Sequence, residues 1–140
     1  MKTIILILAL ALTATLAAAQ KINAKDLPAP VTAAFAKLYP TVKEANWVND
    51  DGNFEAHFDL NKAEMSATFS ATGTFLEEEV EISVNALPQA ALDYMKKTYP
   101  DRKVKEASKI KDAKGIITYE VETKGLDVIF DAKGAFLKEI

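Results

Sequence analysis

His57 is the only histidine in this 140-residue chain, and Glu55 and Asp59 flank it two positions away on either side. On a β-strand, residues two apart point to the same face. These three side chains could therefore form a carboxylate–imidazole–carboxylate cluster, able to move protons or to hold a metal. Zinc sites draw on more His or Cys ligands than a chain with 0 Cys offers. The expectation is a solvated polar strand face, with no metal and no cofactor. Asn49-Asp50-Asp51-Gly52-Asn53 is rich in oxygen donors like a calcium loop, but it lacks the alternating ligand spacing and the terminal Glu. It reads as a hairpin turn.

Nucleophilic chemistry has less support. Ser66, Ser70, Ser83 and Ser108 sit in strands or at strand ends, without a Gly-x-Ser-x-Gly elbow. Glu77 and Glu79 share a strand face, yet a glycosidase needs its carboxylate pair in a deep cleft. The run Glu77-Glu78-Glu79-Val80-Glu81 reads as solvated charge along a sheet edge, where it discourages pairing with another chain. No enzyme is expected. Trp47, the single tryptophan, is the remaining candidate. Exposed, it would anchor a protein partner; buried, it would be core. Its strand alternation permits either.

The elements that carry these residues are written twice. Leu27-Pro28 and Tyr39-Pro40 return as Leu87-Pro88 and Tyr99-Pro100, both displaced by 60. Gly73-Thr74-Phe75-Leu76 returns as Gly134-Ala135-Phe136-Leu137, displaced by 61. A repeat of this length signals two copies of one folding unit. Leu27, Val31, Ala34, Phe35 and Leu38 form an apolar stripe at helical spacing, as do Leu87, Ala91, Tyr94 and Met95. Asp26 and Asn85 are candidate N-caps, and Pro40 and Pro100 stop each helix.

Strands follow each helix. Phe54, Ala56 and Phe58 alternate with Glu55, His57 and Asp59, and Met65, Ala67 and Phe69 alternate with Ser66, Thr68 and Ser70. Ile117, Tyr119 and Val121 and then Leu126, Val128 and Phe130 repeat the inward set. Weaker strands cover residues 42–48 and 104–110. The fold class is α+β, as two tandem units, each a helix on a four-stranded antiparallel meander. At about 60 residues a unit is marginal alone, so a shared core or a continuous sheet is expected. The sheet face away from the helix has no element to cover it.

Lys2, the apolar run from Ile4 to Leu12 and Ala17-Ala18-Ala19 make residues 1–19 a secretory signal peptide, with cleavage before Gln20. The first unit is then 20–82 and the second 83–140. The protein is expected in the periplasm or secreted, with no membrane span after cleavage. With 20 acidic residues against 17 basic ones, the chain is a poor match for nucleic acid.

The Leu-Pro helix start, the Tyr-Pro stop, Glu44-Ala45-Asn46-Trp47 before an Asp-Gly loop and the Gly-x-Phe-Leu ending together resemble the PepSY-like, beta-lactamase-inhibitor-protein-like family of exported bacterial proteins. The resemblance covers residues 22–140. It implies a helix-backed sheet whose open face can dock a protein partner, and it carries no active site. The second copy is taken to have Lys109 where the first has Trp47. Lys is rarely buried, which favours an exposed Trp47. The expected function is non-catalytic binding of a protein or peptide of the cell envelope on the open face, by Trp47, Glu55, His57, Ser66 and Thr68. The alternative is binding of a small molecule or carbohydrate there.

Overall fold

The computed structural model describes residues 20–140. Residues 1–19, expected to be a signal peptide, lie outside the described residues. Nine strands form one antiparallel sheet in sequence order: β1 (Gln20–Ile22), β2 (Asn46–Asp50), β3 (Asn53–Leu60), β4 (Ala63–Ser70), β5 (Phe75–Ile82), β6 (Val104–Asp112), β7 (Ile117–Thr123), β8 (Leu126–Asp131) and β9 (Phe136–Glu139). Helices α1 (Ala29–Leu38) and α2 (Gln89–Thr98) pack on the same side of it. The fold is α+β.

Local chemistry explains the element boundaries. Pro28 and Pro88 precede the helices, and the Pro28 carbonyl accepts from the Val31 and Thr32 amides at 3.0 and 3.2 Å. Proline suits this position because it lacks the N–H that would go unpaired there. Asp26 and Asn85 do not cap the helices as expected. Each lies in a short 3-10 turn, Ala24–Asp26 or Val84–Ala86, and each helix starts only after the following Pro. Asp51-Gly52 joins β2 to β3 with φ of 48° and 86°. Two left-handed residues in a row give the tight turn whose twist matches the flanking strands.

The run from Glu77 to Glu81 is not at an edge. It lies on β5, the central strand, paired with β4 on one side and β6 on the other. The two halves share this seam, so the middle of the sheet has no free edge to protect. Glu78 faces the helices and bridges the seam: Tyr39 Oη donates to its carboxylate at 2.8 Å, and Lys111 Nζ lies 2.5 Å from it.

Strand pairing follows the internal repeat. Ile22 stands opposite Trp47, and Ile82 opposite Ala107, each 60 positions on. Ala56 opposite Ala67 corresponds to Val121 opposite Val128. The counterpart of Trp47 is therefore Ala107, not Lys109. Ala107 is 1% exposed and Trp47 6%. Trp47 is a core residue, correcting the expected exposed anchor. Its ring meets Phe35 edge-on at 5.1 Å, among Tyr39, Phe54, Phe58 and Phe69. A second cluster under α2 gathers Leu87, Ala91, Met95, Ala107, Val121, Val128 and Phe130.

Candidate functional site

Pairing across the strands sets which side chains share the uncovered face. One row runs Asn46, His57, Ser66, Glu79, Ile110, Thr118, Asp131. A neighbouring row runs Val48, Glu55, Thr68, Glu77, Asp112. A third carries Glu81, Ser108, Glu120 and Ile129, and a fourth Glu106, Glu122 and Asp127. Of the candidate residues, Glu55, His57, Ser66 and Thr68 stand together on this face, and Trp47 is on the other. His57 Nε2 lies 3.4 Å from Glu55 Oε2, with the imidazole half exposed. Ser66 is nearly covered, at 9% exposure.

Val48, Ile110 and Ile129 are the apolar members of these rows, and carboxylates dominate the rest of the face. A hollow of about 360 Å³ opens on it, walled by Glu55, Asp59, Glu64, Glu79, Glu81 and Glu106. Crowded like charges disfavour ionisation, and so does lost hydration. Burial, then the charges of Glu79, Asp127, Glu122 and Glu106, push the Glu120 carboxyl up to about 7. Partial loss of hydration and carboxylate neighbours also raise Glu77, Glu106 and Asp127, and a hydrogen bond shared with Glu81 raises Glu64. Lys105 offsets part of this charge, 3.1 Å from Glu122. Among the described residues, no three His, Cys, Asp or Glu side chains converge well enough to hold a metal ion.

The acidic residues of the second half, Glu120, Glu122 and Asp127, were not among the candidates. Their signal lay in the outward positions of the strand alternation, which hold Glu120 and Glu122 beside Thr118, and Asp127 and Asp131 on either side of Ile129.

A second hollow, of about 720 Å³, opens beside the end of α1. Phe35, Tyr39, Trp47 and Phe58 line it, as do Lys43, Glu44 and Asp59. The two hollows share Asn46, His57, Phe58 and Asp59 as walls. Among the described residues, no helix is long and apolar enough to cross a membrane.

The architecture is that of a helix-backed open sheet bearing a charged face. The chain belongs to the PepSY-like family described as "Putative beta-lactamase-inhibitor-like, PepSY-like", whose model matches residues 14–77 and again 53–138. Solved structures share the fold. A BLIP-like protein from Bacteroides fragilis is 25% identical, with a TM-score of 0.61 over 79% of this chain and 83% of that one. A DUF2874 family protein from Bacteroides ovatus is 21% identical, with a TM-score of 0.69 over 81% of this chain and 86% of that one. A protein from Bacteroides eggerthii described as a "putative periplasmic" protein is 19% identical, with a TM-score of 0.70 over 81% of this chain and 88% of that one. No curated protein matches the chain.

Proposed function

We propose that this chain is a non-catalytic binding protein of the bacterial envelope. Residues 1–19 direct export and are removed. Residues 20–82 and 83–140 are tandem units, each a helix on a four-stranded meander, with β1 added at the edge of the first, and they fuse through β5 and β6 into one sheet. The uncovered face docks a protein or peptide bearing Lys and Arg, with Glu55, His57, Ser66 and Thr68 in the contact. Trp47 supports the face from behind and touches no partner on it.

The observation that carries this reading is the cluster of carboxylates spread over neighbouring rows of β5, β6 and β7, Glu79, Glu81, Glu106, Glu120 and Glu122, with no layer over it. Keeping such charges close together costs stability. A cationic partner relieves that cost and gains speed and specificity of encounter. The relatives described as BLIP-like and periplasmic fit an envelope protein that works by docking.

Photo-crosslinking in the native host tests the reading. A crosslinking residue at Thr68 should trap a discrete protein, and one at Ala33 on the outer side of α1 should not. Trapping only from position 33, or from neither, contradicts docking on the open face.

A further inference from the structure

The two halves differ at the end of their helices. In the second half, the Arg102 amide donates to the Tyr99 carbonyl at 3.1 Å, and the Arg102 guanidinium lies 5.9 Å from the centre of the Tyr99 ring. Nη1 of Arg102 donates to the Lys124 carbonyl at 3.0 Å and lies 3.5 Å from Thr123 Oγ1. One arginine thus ties the end of α2 to the β7–β8 hairpin. The first half makes the same backbone turn, with the Val42 amide donating to the Tyr39 carbonyl at 3.1 Å. Val42, 60 residues before Arg102, carries no group that reaches the hairpin. Val42 instead lines the hollow of about 720 Å³ beside α1.

The walls of that hollow suit what Arg102 supplies in the other half. Tyr39, Trp47 and Phe58 lie at its floor, each only 6–7% exposed, with partly buried Phe35 beside them. Aromatic faces attract cations, and the planar guanidinium stacks on them better than a compact, strongly hydrated ammonium does. Glu44, Asp59 and Lys43 also line it, two carboxylates against one ammonium, so carboxylates are in excess. Phe58 holds the ladder position of Thr123, pairing with Met65 as Thr123 pairs with Leu126, so a ring stands where Arg102 meets a hydroxyl in the second half.

We propose that the hollow between α1 and β3 is a binding site for the guanidinium of an arginine offered by a partner protein. The place that Arg102 fills from within the second half is filled from outside in the first. The site rests on the docking reading only for the source of the arginine. The shared walls let one partner lie across the acidic face and seat a single side chain here.

The lone tryptophan makes the site self-reporting. N-acetyl-arginine amide titrated into the protein should change Trp47 fluorescence saturably, in the millimolar range. N-acetyl-lysine amide should bind roughly tenfold more weakly, and N-acetyl-norleucine amide should give no response. Val42→Arg fills the hollow from within and should abolish the response. Glu44→Gln with Asp59→Asn, both on exposed residues, should weaken arginine amide roughly tenfold without moving the unfolding midpoint. Equal responses to the three amides, no response to arginine amide, or an undiminished response in both variants would overturn the site. The open-face docking reading is probed separately, by charge reversal at Glu79 and Glu120, so the two can fail independently.

Discussion

The Tyr39 hydroxyl donates to the Glu78 carboxylate at 2.8 Å, joining the end of α1 to the central strand. The second half repeats the bond between Tyr99 and Glu139. Burial of the phenol and the adjacent carboxylate hold Tyr39 well above the ordinary tyrosine range, so it stays a donor. Burial opposes ionisation of Glu78, but the bonds from Lys111 and Tyr39 outweigh it and keep its carboxyl below the usual value. Tyr39→Phe should therefore cost about 1.5–3 kcal/mol, the worth of a hydrogen bond to a charged group. Urea unfolding measures it. Because Glu78 is depressed in the folded state, its contribution is present above the unfolded-state carboxyl value. It fades as the pH falls through the lower folded value.

Trp47→Ala should cost about 3–5 kcal/mol, as truncation of a buried large aromatic does. The ring is 6% exposed and packs edge-on against Phe35. Denaturant unfolding gives the number, and a cost under about 1 kcal/mol would return Trp47 to the surface.

Much of this arrangement was legible in the sequence. Alternation at Phe54-Ala56-Phe58 and at Leu126-Val128-Phe130 reported the correct faces, because a half-buried strand admits only one register. The Pro and Tyr-Pro marks located both helices. Three features were misread. The match of Trp47 with Lys109, a displacement of 62, failed because the repeat is displaced by 60 in β2 (Trp47 to Ala107) and by 65 in β3 (Ala56 to Val121), so an alignment drawn across the hairpin between them slips. Asp26 and Asn85 are typical caps, but the prolines two and three residues later fix the helix start. Glu77 to Glu81 looked like an edge because nothing local reveals that β5 joins β6 across the seam. The acidic face itself emerges only when strands distant in sequence are paired.

Gly73 should tolerate alanine far worse than Gly52. Both have positive φ, 79° and 86°, but a Cβ on Gly73 would lie 2.4 Å from the Pro30 carbonyl oxygen, and one on Gly52 meets nothing within 4 Å. Gly52→Ala should cost about 1 kcal/mol for left-handed backbone alone. Gly73→Ala adds a clash that pushes α1 off the turn. Thermal unfolding of the two variants side by side checks the order.

Acidification should stabilise the free protein between pH 8 and pH 5. The Glu120 carboxyl titrates near 7 when folded, above its value in the unfolded chain. The folded state then binds more protons across that window, so stability rises as the pH falls and the repulsion is relieved. Glu77, Glu106 and Asp127 shift in the same direction. The unfolding midpoint should be higher at pH 5 than at pH 8, and Glu120→Gln should flatten the difference. A midpoint that falls steadily from pH 8 to pH 5 would contradict the crowded-carboxylate description.

Charge reversal on the open face tests the central claim most directly. The mature protein is immobilised in three forms: unaltered, with Glu79→Lys and Glu120→Lys, and with Lys96→Glu and Lys97→Glu on α2 as a control on the opposite side. Each is exposed to envelope extract of the native host, and the affinity of the retained protein is measured for all three. The account predicts tight binding to the unaltered and control forms and a loss of at least tenfold for the open-face form, about 1.4 kcal/mol. Equal affinity for the unaltered and open-face forms, with a loss confined to the α2 variant, would contradict it.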